Sequence, residues 1–147
     1  MEAQQDFKEL LELFNAHAVE YLIVGAHALA FHGAPRYTGD MDVYVCSAAE
    51  NARRVMAALR DFGFGSTGLS ESDFSEPDKV VQLGHPPVRI DLMTSLSGLS
   101  WDEAFAHRMA GEYGDVPVSF IGREQFVANK RACGRKKDLA DIEALGG

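Results

Sequence analysis

The stretch Tyr21–Val45, YLIVGAHALAFHGAPRYTGDMDVYV, restricts the fold more than any other part of the chain. Tyr21–Val24 is a short, β-favouring apolar run that stops at Gly25. Ala26–His32 is a short helix-compatible run closed by Gly33 and Pro35. Asp40 and Asp42 then open a second apolar run formed by Met41, Val43 and Val45. The order is strand, glycine turn, helix, loop, strand. Strand side chains alternate between faces, so Asp40 and Asp42 project the same way with Cβ atoms ~7 Å apart.

Two carboxylates on one face repel, and water or a cation must offset the repulsion. A hard divalent ion with oxygen ligands, Mg²⁺ or Mn²⁺, suits them. At the first turn, Gly25 and Ala26 bring free backbone N–H groups to the end of the strand, an arrangement suited to an anion. An anion cradle beside a metal-binding carboxylate pair points to a metal-bound polyphosphate. Each feature alone is common by chance; their order and the Gly25-to-Asp40 spacing make the pair informative. In the intervening loop, Arg36 could clamp a phosphate oxygen or stand in solvent, and Thr38 lies next to the acids.

The remaining chain supplies elements to surround this unit. Phe7, Leu10, Leu11, Leu13 and Phe14 recur at helical spacing and predict an amphipathic helix over residues 4–17. Ser47 can cap a helix from Ala48 to Asp61 with Val55, Met56 and Leu59 inward and Arg53, Arg54 and Arg60 outward. Gly65–Glu76, rich in Ser and Gly, predicts a loop. Lys79–Leu83 and Val88–Met93 are two strand-like runs with a hairpin-like connection through Gly84–Pro87. On the second, Val88, Ile90 and Leu92 face one way, and Arg89, Asp91 and Met93 the other. A carboxylate in an apolar strand needs a partner: Arg89, a metal or water. If this strand neighbours Met41–Val45, Asp91 joins Asp40 and Asp42 in a three-carboxylate site for one or two metals. A plain Arg89–Asp91 pair or an edge-strand arrangement is the alternative.

Ser100-Trp-Asp-Glu103 is a capping box opening a helix to about His107, with Trp101 as packing. His107–Tyr113 and Val116–Ile121 read as two short strands that extend the sheet or form a separate hairpin. Gly122–Leu145 is helical with a break at Gly134, placing Phe126, Val127, Leu139, Ile142 and Leu145 inward. Lys130, Arg131, Arg135, Lys136 and Lys137 gather around that break, followed by Asp138 and Asp141. Such a cluster is either a solvated face or a seat for a triphosphate or a tRNA acceptor end. His17, His27 and His32 read as surface or packing residues.

The net charge of −8 and pI of about 5.0 exclude broad non-specific nucleic-acid binding while leaving room for that local basic patch. With 147 residues, 46% apolar and 24% charged, the expectation is one domain, 1–147, with a core that needs no disulfide. Cys46 and Cys133 read as two ordinary thiols of a reducing cytosol. No apolar run has the length of a membrane span, and the polar N-terminus does not read as a signal peptide, so the expected location is cytoplasmic.

With these residues assembled, the chain resembles the nucleotidyltransferase superfamily of DNA polymerase β. It is most similar to the minimal nucleotidyltransferases of prokaryotes and to the type IV toxin–antitoxin, abortive-infection group. The resemblance is carried by Val24-Gly25-Ala26, Asp40-Met41-Asp42 and Asp91 within Arg89-Ile-Asp-Leu92. It is also carried by Asn129–Leu145, where Lys130, Arg135, Lys137, Asp138 and Asp141 match the C-terminal motif with one residue fewer between Arg135 and Lys137. Ala26 departs from the pattern, since relatives often have Ser or Gly there; Ala leaves only the backbone N–H to hold phosphate.

The resemblance implies an α/β (α+β) nucleotidyltransferase fold: a mixed β-sheet with flanking helices, mainly on one face, and a C-terminal helical pair. It implies that Asp40, Asp42 and Asp91 are catalytic and hold Mg²⁺ (or Mn²⁺). Gly25, Ala26, Arg36, Thr38, Lys130, Arg135 and Lys137 would meet an NTP substrate or the acceptor. The implied reaction moves NMP from an NTP such as ATP to a hydroxyl of a protein, RNA or small-molecule acceptor, with a toxin protein or a tRNA end among the candidates. The rival reading is a weak or inactive nucleotidyltransferase-fold binding module acting as antitoxin or regulatory partner.

Overall fold

The computed structural model describes residues 4–35, 38–63, 68–85 and 88–146, without the side chains of His85 and Val88. The strands are β1 (Tyr21–Val24), β2 (Asp40–Val45), β3 (Val80–His85), β4 (Val88–Met93), β5 (Met109–Tyr113) and β6 (Val116–Phe120). The helices are α1 (Gln5–Ala16), α2 (Gly25–Phe31), α3 (Ala49–Asp61), α4 (Ser72–Ser75), α5 (Trp101–Ala106), α6 (Arg123–Cys133) and α7 (Lys136–Ala144). The strands form one mixed sheet in the order β3-β4-β2-β1-β6-β5. β1 runs antiparallel to β2 and parallel to β6, β2 runs parallel to β4, and β3–β4 and β5–β6 are antiparallel pairs. The β5–β6 pair therefore extends the sheet.

The two faces of the central strands are covered differently. Tyr21 and Ile23 of β1 stand opposite Val45 and Val43 of β2, and Met41 and Val43 stand opposite Ile90 and Leu92 of β4. This apolar face is covered by α1, whose Phe14 ring lies 5.6 Å from that of Tyr21, with α3 packed beside α1. Phe7, Leu10, Leu11 and Phe14 of α1 are buried in the common core, as their spacing requires. The other face carries Asp40, Asp42 and Tyr44 from β2 and Arg89, Asp91 and Met93 from β4. There Trp101 of α5 meets Tyr44 edge-on at 4.9 Å and stacks on Phe105. Helices thus flank both faces, and α5 seals the acid-bearing face only at its Tyr44 end.

Three local expectations are corrected. Ser47 does not cap α3; Ala48 is the N-cap residue and makes no side-chain bond. The junction is held instead by buried Asn51, which donates to the Cys46 and Glu20 carbonyls at 2.9 and 3.1 Å and accepts from the Glu20 N–H at 2.7 Å. The segment before β3 is not wholly loop, because α4 forms around Phe74, which is fully buried against the core. Burying one such ring stabilises by about 1.5–3 kcal/mol, enough to order a short turn. Leu139 of α7 is 51% exposed, since the inward face of that helix is Asp138, Asp141 and Ile142. Residues 62 and 63 form a turn after α3, and residues 64–67 lie outside the described residues, as do Pro86 and Pro87 of the expected hairpin-like connection. The capping box at Ser100 and Glu103 is present, and both cysteines are free.

Candidate active site

The site forms where β1 ends and β2 begins. Val24, the last residue of β1, stands opposite Asp42 of β2, and α2 starts at the next residue, Gly25. Gly25 has φ of +65°, a left-handed conformation that side chains disfavour. A Cβ there would lie 2.4 Å from Oδ2 of Asp42, so the Asp42 carboxylate rests directly over the turn. Only glycine gives both the conformation and the approach.

β4 brings the third acid. The parallel β2–β4 register places Asp91 beside Asp42 and Arg89 beside Asp40. All four side chains share one face, and Asp91 is buried. β4 does neighbour β2, so acids of the two strands lie side by side in register, and Arg89 pairs with Asp91. Arg89 donates through Nε to Oδ1 of Asp91 at 2.9 Å and through Nη2 to Oδ2 at 3.2 Å. Its Nη2 also reaches Oδ2 of Asp40 at 3.2 Å. The Asp42 carboxylate accepts no hydrogen bond from the described residues. Burial, reinforced by the charges of Asp91 and Asp40, pushes its carboxyl up to about 6, while Lys130 and Arg89 pull it back part of the way.

Lys130 comes from α6. That helix is held to the segment after β4 by Asn129, which donates to the Ser97 carbonyl at 2.9 Å, and by Gly98, where a Cβ would lie 2.6 Å from that of Ala132. Gly134, with φ of +68°, ends α6 in a left-handed cap and turns the chain into α7. Lys130 is buried and pairs with Asp138 at 3.4 Å and Asp141 at 3.5 Å. Arg135 forks onto Asp138 at 2.7 and 3.2 Å and holds its carboxyl below the usual carboxylate range. The basic cluster is therefore neither wholly solvated nor wholly free. Lys130 and Arg135 are tied to buried acids, Lys137 stands exposed on the first turn of α7, and the Lys130 charge is felt at Asp42.

The other sequence candidates fall as follows. Ala26 is the second residue of α2, half-buried, at a helix start with no side-chain cap. Thr38 braces the entry to β2: its hydroxyl accepts from the Asp40 N–H at 3.1 Å and donates to the Asp40 carbonyl at 3.2 Å. Arg36 lies outside the described residues. His32 contacts the Ile121 carbonyl at 2.7 Å, His27 packs edge-on to Phe7 and Tyr113, and His17 pairs with Asp61. The bridge from Arg89 to Asp40 went unread in the sequence, although alternation along β4 already placed Arg89 on the acid face.

The donor set fits a hard cation in chemistry, since Asp40, Asp42 and Asp91 offer only carboxylate oxygens. It is not closed around one: among the described residues no three acid, His or Cys side chains converge on a point that could hold an ion. Arg89 instead engages both oxygens of Asp91 and one of Asp40.

No protein-family model matches the sequence, and no curated protein does. Solved structures do. A candidate nucleotidyltransferase from Thermotoga maritima is 12% identical, with a TM-score of 0.64 over 93% of this chain and 88% of that one. The lincosamide antibiotic adenylyltransferase LnuA, with lincomycin bound, is 15% identical, with a TM-score of 0.59 over 99% of this chain and 98% of that one. An antigenic nucleotidyltransferase-like protein from Paracoccidioides brasiliensis is 19% identical, with a TM-score of 0.56 over 98% and 75%. No helix among the described residues is long and apolar enough to cross a membrane. The strand order, the glycine turn and these likenesses agree: the chain has the nucleotidyltransferase fold.

Proposed function

We propose that this protein is a cytoplasmic, Mg²⁺-dependent (or Mn²⁺-dependent) nucleotidyltransferase that moves NMP from an NTP to an acceptor hydroxyl. The observation that carries the reading is the in-register placement of Asp42 beside Asp91, with Gly25 packed under Asp42. Asp40, Asp42 and Asp91 would hold the cation. When bound, it neutralises the triphosphate and makes the acceptor hydroxyl easier to deprotonate.

The chain's own residues do the rest. The Gly25–Ala26 turn lets the triphosphate approach the backbone, and the exposed Lys137 with the Lys130 charge draws anions to the acid face. Asp91 takes the acceptor's proton. The acceptor oxygen bonds to the α-phosphorus as its bond to the bridging oxygen of the β-phosphate breaks, and pyrophosphate leaves. The acceptor is a protein, RNA or small molecule; the match to LnuA over nearly its full length favours the last.

Arg89 favours a second reading, because it occupies oxygens of two acids in a set that does not converge. In that reading the chain is an inactive module that grips a partner, such as a toxin, as antitoxin or regulatory subunit. Calorimetric titration of ATP, GTP, CTP and UTP with Mg²⁺, on the wild type and Asp42→Asn, separates the two. Binding that needs Mg²⁺ and is lost in the variant supports the enzyme. Binding indifferent to both, or none, supports the module.

A further inference from the structure

We propose that Arg89 is a built-in counter-ion of the acid site, which a divalent cation must displace before the three carboxylates can converge. The inference rests on the nucleotidyl-transfer reading and adds a gate to it. The Arg89 guanidinium lies between two of the three acids, bonded to Oδ1 and Oδ2 of Asp91 and to Oδ2 of Asp40. These are oxygens a metal would need. Asp42, which Arg89 does not touch, keeps its oxygens available and sits beside Asp91 in the register.

The geometry also says how the gate opens. A guanidinium stays charged at any accessible pH, so proton loss cannot release it; only a competing cation or a competing anion can. The Arg89 side chain is 27% exposed, so it is held by the acids rather than entombed. Directly across β3–β4 stands Gly84, which puts no side chain on that face, and the next β3 residue on it, Gln82, is exposed. Among the described residues of β3, none therefore puts a bulky side chain against the guanidinium. In the absence of metal, it offsets the repulsion of carboxylates on adjacent strands and lets the site fold.

Mn²⁺ binding by the full chain, read from the electron paramagnetic resonance of free Mn²⁺, tests this, with thermal melts in chelator and in Mn²⁺. Arg89→Gln is expected to bind Mn²⁺ about tenfold tighter than the wild type, as a competing cation has been removed. It should also melt lower in chelator and gain more from Mn²⁺. Arg89→Lys, which keeps the charge without the fork, should fall between the two and serves if the glutamine variant does not fold. Equal or weaker Mn²⁺ binding by these variants, with the wild type binding normally, would overturn the gate and leave the enzyme reading standing. Absence of Mn²⁺ binding by the wild type and Arg89→Gln alike would overturn both.

Discussion

A side chain on Gly25 would begin 2.4 Å from Oδ2 of Asp42. The turn that would receive the phosphates and the acid that would hold the cation are therefore packed as one unit. Gly25→Ala is expected to lose about 1–3 kcal/mol from the left-handed conformation alone, with the carboxylate overlap added to it. Urea denaturation should show the loss. In an Asp42→Ala background the same substitution should cost less, because the overlapping oxygen is gone; equal costs in both backgrounds would separate the two residues.

Asp42 makes stability depend on pH in a defined direction. Its carboxyl titrates near 6 in the folded protein against 3.8 in its ordinary state. The folded state therefore binds the proton more tightly, and this contribution is complete below pH 3.8 and lost as pH rises through about 6. Asp42→Asn removes the loss. In chelator at pH 8 the variant should be more stable than the wild type by about 1–3 kcal/mol, and the difference should shrink toward zero below pH 4. Transfer activity should vanish in the same variant. A wild type equal to Asp42→Asn at pH 8 would show that the buried charge is not the cost described.

What the sequence made legible follows from the range of each signal. Alternation along β2 and β4 is local, so Asp40, Asp42, Arg89 and Asp91 could be assigned to faces before their strands were known to pair. Which strands pair is a long-range matter, and it stayed conditional until the parallel register joined Asp42 to Asp91. On α7, apolar spacing marks Leu139, Ile142 and Leu145 equally well. The helix instead turns Asp138 and Asp141 inward to meet Lys130, an electrostatic demand from another helix that hydrophobic periodicity does not encode. Ser47 was a sound local cap displaced by Asn51, whose partners come from two chain segments.

Phe74 shows how a single anchor can hide in a polar stretch. It is fully buried on a four-residue helix flanked by Ser and Asp. Phe74→Ala should cost about 3–5 kcal/mol, as for other core aromatics. Proteolysis should then cut first between α3 and β3, while the β1–β2 unit stays protected. A substitution cost below ~1 kcal/mol would mean that the ring is not part of the common core.

The Lys130 network should be far less tolerant than the surface suggests. Lys130 faces two buried acids, and Asp138 has no exposure at all. Lys130→Met leaves Asp141 without that cation and Asp138 with Arg135 alone, and removing one partner of a buried pair typically costs about 3–5 kcal/mol. Arg135→Ala removes a 60% exposed side chain and leaves Lys130 on Asp138, so its cost should stay near ~1 kcal/mol. Lys130→Met with Asp138→Asn should recover part of the loss, because one of the two buried charges that Lys130 offset is removed with it. Lys130 also lowers the carboxyl of Asp42, so its removal should push that titration upward. Following the Asp42 carboxyl by NMR across the pH range in Lys130→Met separates the roles. An unmoved titration would confine Lys130 to holding α6 against α7, and an upward shift would join the C-terminal pair electrically to the acid site.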